Sequence, residues 1–144
     1  MFGFLLSTLL ACSAAGRHFW EISSPDLPHI AMIRADPRFG SVVVYNSELC
    51  KQIGDACGFF RTHAHAHASL SHQILPPGGY PDSLEAEADC WAARNADPGE
   101  VTAAVQLLSD ENRDPDIPII GNASERAERI RDCAIESGNW IEQT

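Results

Sequence analysis

The run His63-Ala-His-Ala-His67, followed by His72, places four of the chain's six histidines within ten residues. An α-helix turns by about 100° per residue, so His63 and His67 stand within about 40° of each other and offer two imidazoles to one metal ion. His65 lies about 200° and His72 about 180° from His63, so on one continuous helix they share the opposite, solvated face. There they are exposed polar residues or, at most, a weak surface site for copper or zinc. A zinc site needs a third protein ligand, and commonly a carboxylate behind an imidazole to orient it. Glu85 and Asp89 form such a pair, one helical turn apart, with Ala88 and Ala92 slim enough for close approach. Plainer roles compete. His63 and His67 would serve equally as hydrogen-bonded core histidines, Glu85 as the closing member of a capping box begun by Asp82, and Asp89 as an exposed helical acid.

These residues need rigid elements beneath them. Ile53, Ala56, Phe60, His63, His67, Leu70 and Ile74 recur at spacings of three and four, which predicts one long helix. Asn46 or Ser47 caps it, and Pro76-Pro77-Gly78-Gly79 ends it. His63 and His67 therefore lie in the apolar, core-facing stripe. Asp82-Ser-Leu-Glu85 opens a second helix running to about Asn95. Asp97-Pro98-Gly99-Glu100 opens a third, and Asn122-Ala-Ser-Glu125 a fourth that Gly138 closes. Upstream, His29–Arg34 and Ser41–Tyr45 are short apolar runs joined by Asp36-Pro-Arg-Phe-Gly40, a hairpin pattern, while residues 17–28 read as irregular. The expected fold is α+β and mostly helical: a short β-hairpin, a long metal-binding helix and about three further helices.

The chain has 144 residues with ten basic and twenty acidic side chains, a formal net charge of −10. Its 44% hydrophobic content excludes a disordered polyelectrolyte. A single lysine, Lys51, leaves no broad basic face, which excludes sequence-independent nucleic-acid binding. Residues 1–16 hold an apolar stretch followed by small residues, the pattern of a secretory signal, leaving one domain over residues 17–144. Leu9-Leu10-Ala11-Cys12 also has the form of a lipoprotein box, so a lipid on Cys12 is the one membrane attachment expected of an otherwise exported chain. Cys50, Cys57, Cys90 and Cys133 then remain for an oxidising compartment. Two turns apart on one helix, Cys50 and Cys57 would stand roughly 10 Å apart, too far to bridge. The open pairings are Cys57–Cys90 with Cys50–Cys133, or Cys90–Cys133 with Cys50 and Cys57 free. In a reducing compartment all four would serve as small buried apolar groups.

The segment from Phe59 to His72 resembles the active helix of HExxH zinc metallopeptidases, and Glu85-Ala-Glu-Ala-Asp89-Cys90 resembles the ExxxD second-helix signature of the gluzincin group. Small bacterial neutral zinc metallopeptidase-like proteins carry both, and the resemblance spans roughly residues 41–134. It implies a zincin-like fold, Zn²⁺ held by His63, His67 and Glu85, Asp89 as the outer carboxylate, and Val42–Tyr45 as the edge strand that aligns a peptide or protein substrate. One position departs. The family's general base follows the first histidine, and here that residue is Ala64, so no catalytic base is assigned. Losing a positioned base costs about 10²–10⁴-fold in rate. Glu87 points about 200° away from Glu85 on its helix and is poorly placed to replace it, leaving Asp55 or Glu48 as compensating acids. The expectation is a zinc metallopeptidase-like protein with impaired hydrolysis. Its rivals are a non-catalytic metal-binding module and a disulfide-stapled exported interaction domain without metal.

Overall fold

A computed structural model describes residues 19–142. The signal-like segment and Cys12 lie outside them. Three strands form a small sheet: β1 (Trp20–Ser23), β2 (Ala31–Asp36) and β3 (Gly40–Tyr45), in the order β1-β3-β2. The expected hairpin is present. β2 and β3 pair antiparallel from Ala31 opposite Tyr45 to Asp36 opposite Gly40. In its turn the Asp36 carboxylate accepts from the backbone N–H groups of Arg38 and Phe39, and Gly40 takes a φ of 79°.

Two expectations about the sheet fail. Residues 17–28 are not wholly irregular, because Trp20–Ser23 adds a parallel strand to β3. Four residues followed at once by a Pro-containing loop are too short for an alternation signal, and a parallel partner is invisible to local pattern. Consequently Val42–Tyr45 belongs to the central strand, not to an edge. Val42, Val43 and Val44 are at most 2% exposed because both sheet faces are covered. The edge strand beside the helices is β2.

Five helices follow among the described residues: α1 (Ser47–Ile53), α2 (Ala56–Ser69), α3 (Asp82–Asn95), α4 (Pro98–Ser109) and α5 (Ala123–Ser137). The expected single long helix is broken into α1 and α2. Gly54 adopts φ 61° and ψ −133°, a conformation a side chain rarely tolerates, and the helix restarts at Asp55. The stripe of apolar positions continues across the break, so periodicity alone does not register it. The break reverses the cysteine expectation. Cys50 and Cys57 sit on either side of Gly54 with Cα atoms 5.1 Å apart and are disulfide-bonded. Cys90–Cys133 forms as in one of the two pairings, with a Cα separation of 5.3 Å, and ties α3 to α5. Two disulfides suit an oxidising, non-cytoplasmic compartment. No helix among the described residues is long and apolar enough to cross a membrane.

α2 is the central element. Phe59 and Phe60 face α3, α4 and α5, where Val101, Leu108 and Ile130 are almost wholly buried, each side chain contributing about 1.5–3 kcal/mol by leaving water. Its other side meets the sheet, with Ala64 against Ile33 and Val43. A helix covered on two sides must be apolar nearly all round, which accounts for the alanines between its histidines. α3 approaches through Ala88, Ala92 and Ala93, all at 0% exposure. The remaining caps agree with expectation: Asp97 and Glu100 form a capping box with Pro98 in the first turn, Asn122 caps α5, and Gly138 closes it with a left-handed turn.

The short disulfide holds the start of the histidine helix. Replacing both Cys50 and Cys57 by Ser should lower stability by about 2–3 kcal/mol, the chain-entropy value for so small a loop. Urea unfolding of the double variant against the parent measures it.

Candidate metal centre

α2 and α3 pack side by side, and each presents two polar residues one turn apart to the other. His63 Nε2 lies 3.7 Å from Glu85 Oε2, and His67 Nε2 lies 3.0 Å from Glu85 Oε1. One donor atom from each of the three residues lies within 4.8 Å of the other two. Tetrahedral zinc with bonds of about 2.0–2.2 Å sets its ligand atoms about 3.4 Å apart, so modest side-chain adjustment would suffice. The capping-box role for Glu85 does not materialise. Pro81 is the N-cap of α3 with no side-chain cap bond, Asp82 is already helical, and the Glu85 carboxylate turns to the histidines instead.

Asp89 stands behind His63. Its Oδ1 is 2.8 Å from His63 Nδ1, at ion-pair range though off the line of an ideal hydrogen bond. It is not an exposed helical acid: its exposure is 0%. Its charge is met by α5, where Arg126 donates from Nε and Nη2 at 3.0 and 2.8 Å and Arg129 from Nη2 at 3.2 Å. Arg126 is a site residue that sequence reading missed. Its signal was an arginine at helical spacing from Ile130 and Cys133, on the buried face of α5, and spacing alone could not connect it to a carboxylate 37 residues away.

Burial would raise both carboxyl pKa values, but the facing cations and donors prevail. The facing imidazoles of His63 and His67 bring Glu85 down to about 2. His63 and Arg126 hold Asp89 well below the usual carboxylate range. Burial would lower His63, yet the Asp89 and Glu85 anions raise it. For His67 burial wins over the pull of Glu85, and its pKa falls. These shifts favour an ionised Glu85 and a neutral His67, as metal ligation requires, whereas the anions beside His63 favour its charged form.

His65 and His72 do not share a wet face. His65 is partly buried, stacked on Phe19 at 4.3 Å and edge-on to Trp91, with its pKa lowered by burial. His72 escapes the helix geometry altogether, because α2 ends at Ser69 rather than near Pro76. Ser71 takes φ 60°, and the chain doubles back. His72 Nδ1 then meets His67 Nδ1 at 3.0 Å and its Nε2 meets Glu87 at 2.8 Å. Sequence reading missed this pair because it carried the helix through Ile74, five residues too far.

A cavity of about 60 Å³ lies between β2 and the ligands, lined by His63, His67, Glu85, Ala64, Ile30 and Tyr80 among others. Tyr80 stacks on His67 at 3.7 Å. Neither compensating acid reaches this cavity: Glu48 pairs with Lys51, and Asp55 sits at the far start of α2. Ala64 forms part of the same cavity wall.

Fold and site together define a small α+β domain with a His-His-Glu group able to hold a metal ion. Comparison with known proteins adds no relative: no family model fits the chain, and no curated protein or solved structure matches it.

Proposed function

We propose that the protein is an exported, zincin-like domain that holds one Zn²⁺ through His63, His67 and Glu85, with Asp89 orienting His63. The observation that supports this most is the convergence of two imidazole Nε2 atoms on one ionised carboxylate. Bound zinc would supply Lewis acidity toward a carbonyl and lower the pKa of a bound water to about 7. The chain's own contribution is positioning. β2 lines the cavity as an edge strand and could pair with an extended peptide, the substrate class this reading favours. Ala64 can neither take nor return a proton, so peptide hydrolysis is impaired.

A second reading keeps the metal without the chemistry. Ala64 together with the Asp89–Arg126 ion pair favours a centre in which the ion serves structure, as in a non-catalytic metal-binding module. Metal analysis of the purified chain tests both. One zinc per chain is expected, with His63→Ala losing it, and a wild-type chain that takes up no stoichiometric metal would overturn both readings and leave a disulfide-stapled interaction domain.

A further inference from the structure

We propose that His72 and Glu87 are positioning residues of the metal centre, acting on His67 through one continuous hydrogen-bonded chain. The inference rests on the zinc reading above.

The geometry supports it in three ways. His67 Nδ1, His72 Nδ1, His72 Nε2 and Glu87 Oε2 follow one another with separations of 3.0 and 2.8 Å. The His72 side chain is only 7% exposed, whereas Glu87 is 58% exposed. The backbone is arranged to put it there: the His72 N–H donates to the His67 carbonyl at 2.8 Å. Ser71 is the non-glycine residue at positive φ among those described, a conformation that persists only where its surroundings impose it.

Hydrogen-bond chemistry fixes the direction of the chain. A contact between two ring nitrogens needs one donor and one acceptor. With its Nε2 lone pair given to a metal, neutral His67 keeps its proton on Nδ1 and donates to His72. His72 must then carry its own proton on Nε2, where the Glu87 carboxylate accepts it. Every nitrogen is matched, and His67 can rotate only by breaking the chain. Such outer partners raise ligand basicity as well as fixing the ring. His63 has its carboxylate directly, in Asp89. Glu87 lies about half a turn round α3 from Glu85 and cannot reach His67 itself, so His72 bridges the gap.

The test is the zinc affinity of the full-length protein by chelator competition, paired with the visible absorption of the Co²⁺-loaded form and the melting of the metal-free form. His72→Ala should weaken zinc binding by about 10–100-fold and alter the Co²⁺ spectrum. Glu87→Ala should weaken it less, since His72 remains. His72→Asn, whose side-chain carbonyl can accept from His67 Nδ1, should restore affinity close to wild type. If wild type binds zinc and His72→Ala binds it equally well, the inference fails while the zinc reading stands. A loss that Asn does not rescue, accompanied by a matching fall in metal-free melting temperature, would show a merely structural role and overturn it. A wild type that binds no zinc overturns the zinc reading and this inference with it.

Discussion

Ala64→Glu should raise peptide hydrolysis by the zinc-loaded protein by about 10²–10⁴-fold, the usual worth of a positioned general base. Position 64 directly follows His63, and Ala64 lines the cavity beside His63, His67 and Glu85. A carboxylate there would be one side-chain length from the space next to a metal held by those residues. The same methyl packs on Ile33 and Val43, so the longer side chain must turn into the cavity rather than toward the sheet. Casein-type and short peptide substrates measure the gain, with zinc content and melting temperature as controls for loading and folding. A folded, zinc-loaded Ala64→Glu protein with no gain over the parent would remove the peptidase reading and leave the metal-binding module.

Asp89→Ala should cost about 3–5 kcal/mol of stability, the range for breaking one side of a buried ion pair. Asp89 is fully buried and accepts from Arg126 and Arg129, so truncation strands the Arg126 guanidinium, itself 5% exposed, away from water. Denaturant unfolding of the metal-free proteins measures the loss. Asp89→Asn should lose less, because its carbonyl oxygen still accepts. Exchanging Asp89 and Arg126 together for apolar residues of similar volume should come near to neutral, since the pair also carries the desolvation cost of two ions.

Acidity probes the same carboxylates. The folded pKa of Asp89 lies below its ordinary 3.8, and that of Glu85 falls from 4.5 to about 2. A depressed carboxyl stabilises the fold fully above its unfolded pKa and loses that contribution as pH falls through the folded one. Metal-free protein should therefore lose stability steeply from about pH 4.5 down to pH 2. Asp89→Ala should flatten that limb. An unchanged slope in the variant would mean that Asp89 adds no net stability.

Much of the candidate centre is legible in the sequence because helical spacing is local. His63 and His67 at i and i+4, and Glu85 and Asp89 at i and i+4, each share a helix face by geometry alone. The caps at Asp97, Asn122 and Gly138 are legible for the same reason, since a cap satisfies backbone groups within three or four residues. Gly54-Asp55 carried a readable signal, a helix stop followed by a start, but the apolar stripe ran through it. Ser71 carried none: a non-glycine residue reverses the chain there, and the contacts of His72 depend wholly on that reversal. The arginines behind Asp89 and the parallel pairing of β1 involve residues distant in sequence, where spacing has no bearing.

The sequence by itself determined the donor types and their pairing on two helices, because these follow from residue identity and a 3.6-residue period. Tertiary structure alone decided that the two helix faces meet, that β2 rather than β3 borders the cavity, and that Cys50 reaches Cys57. It also decided that His72 and Glu87 stand behind His67. Each of these depends on where the backbone turns and what is buried against it, and such properties belong to the packed chain rather than to any short window of residues.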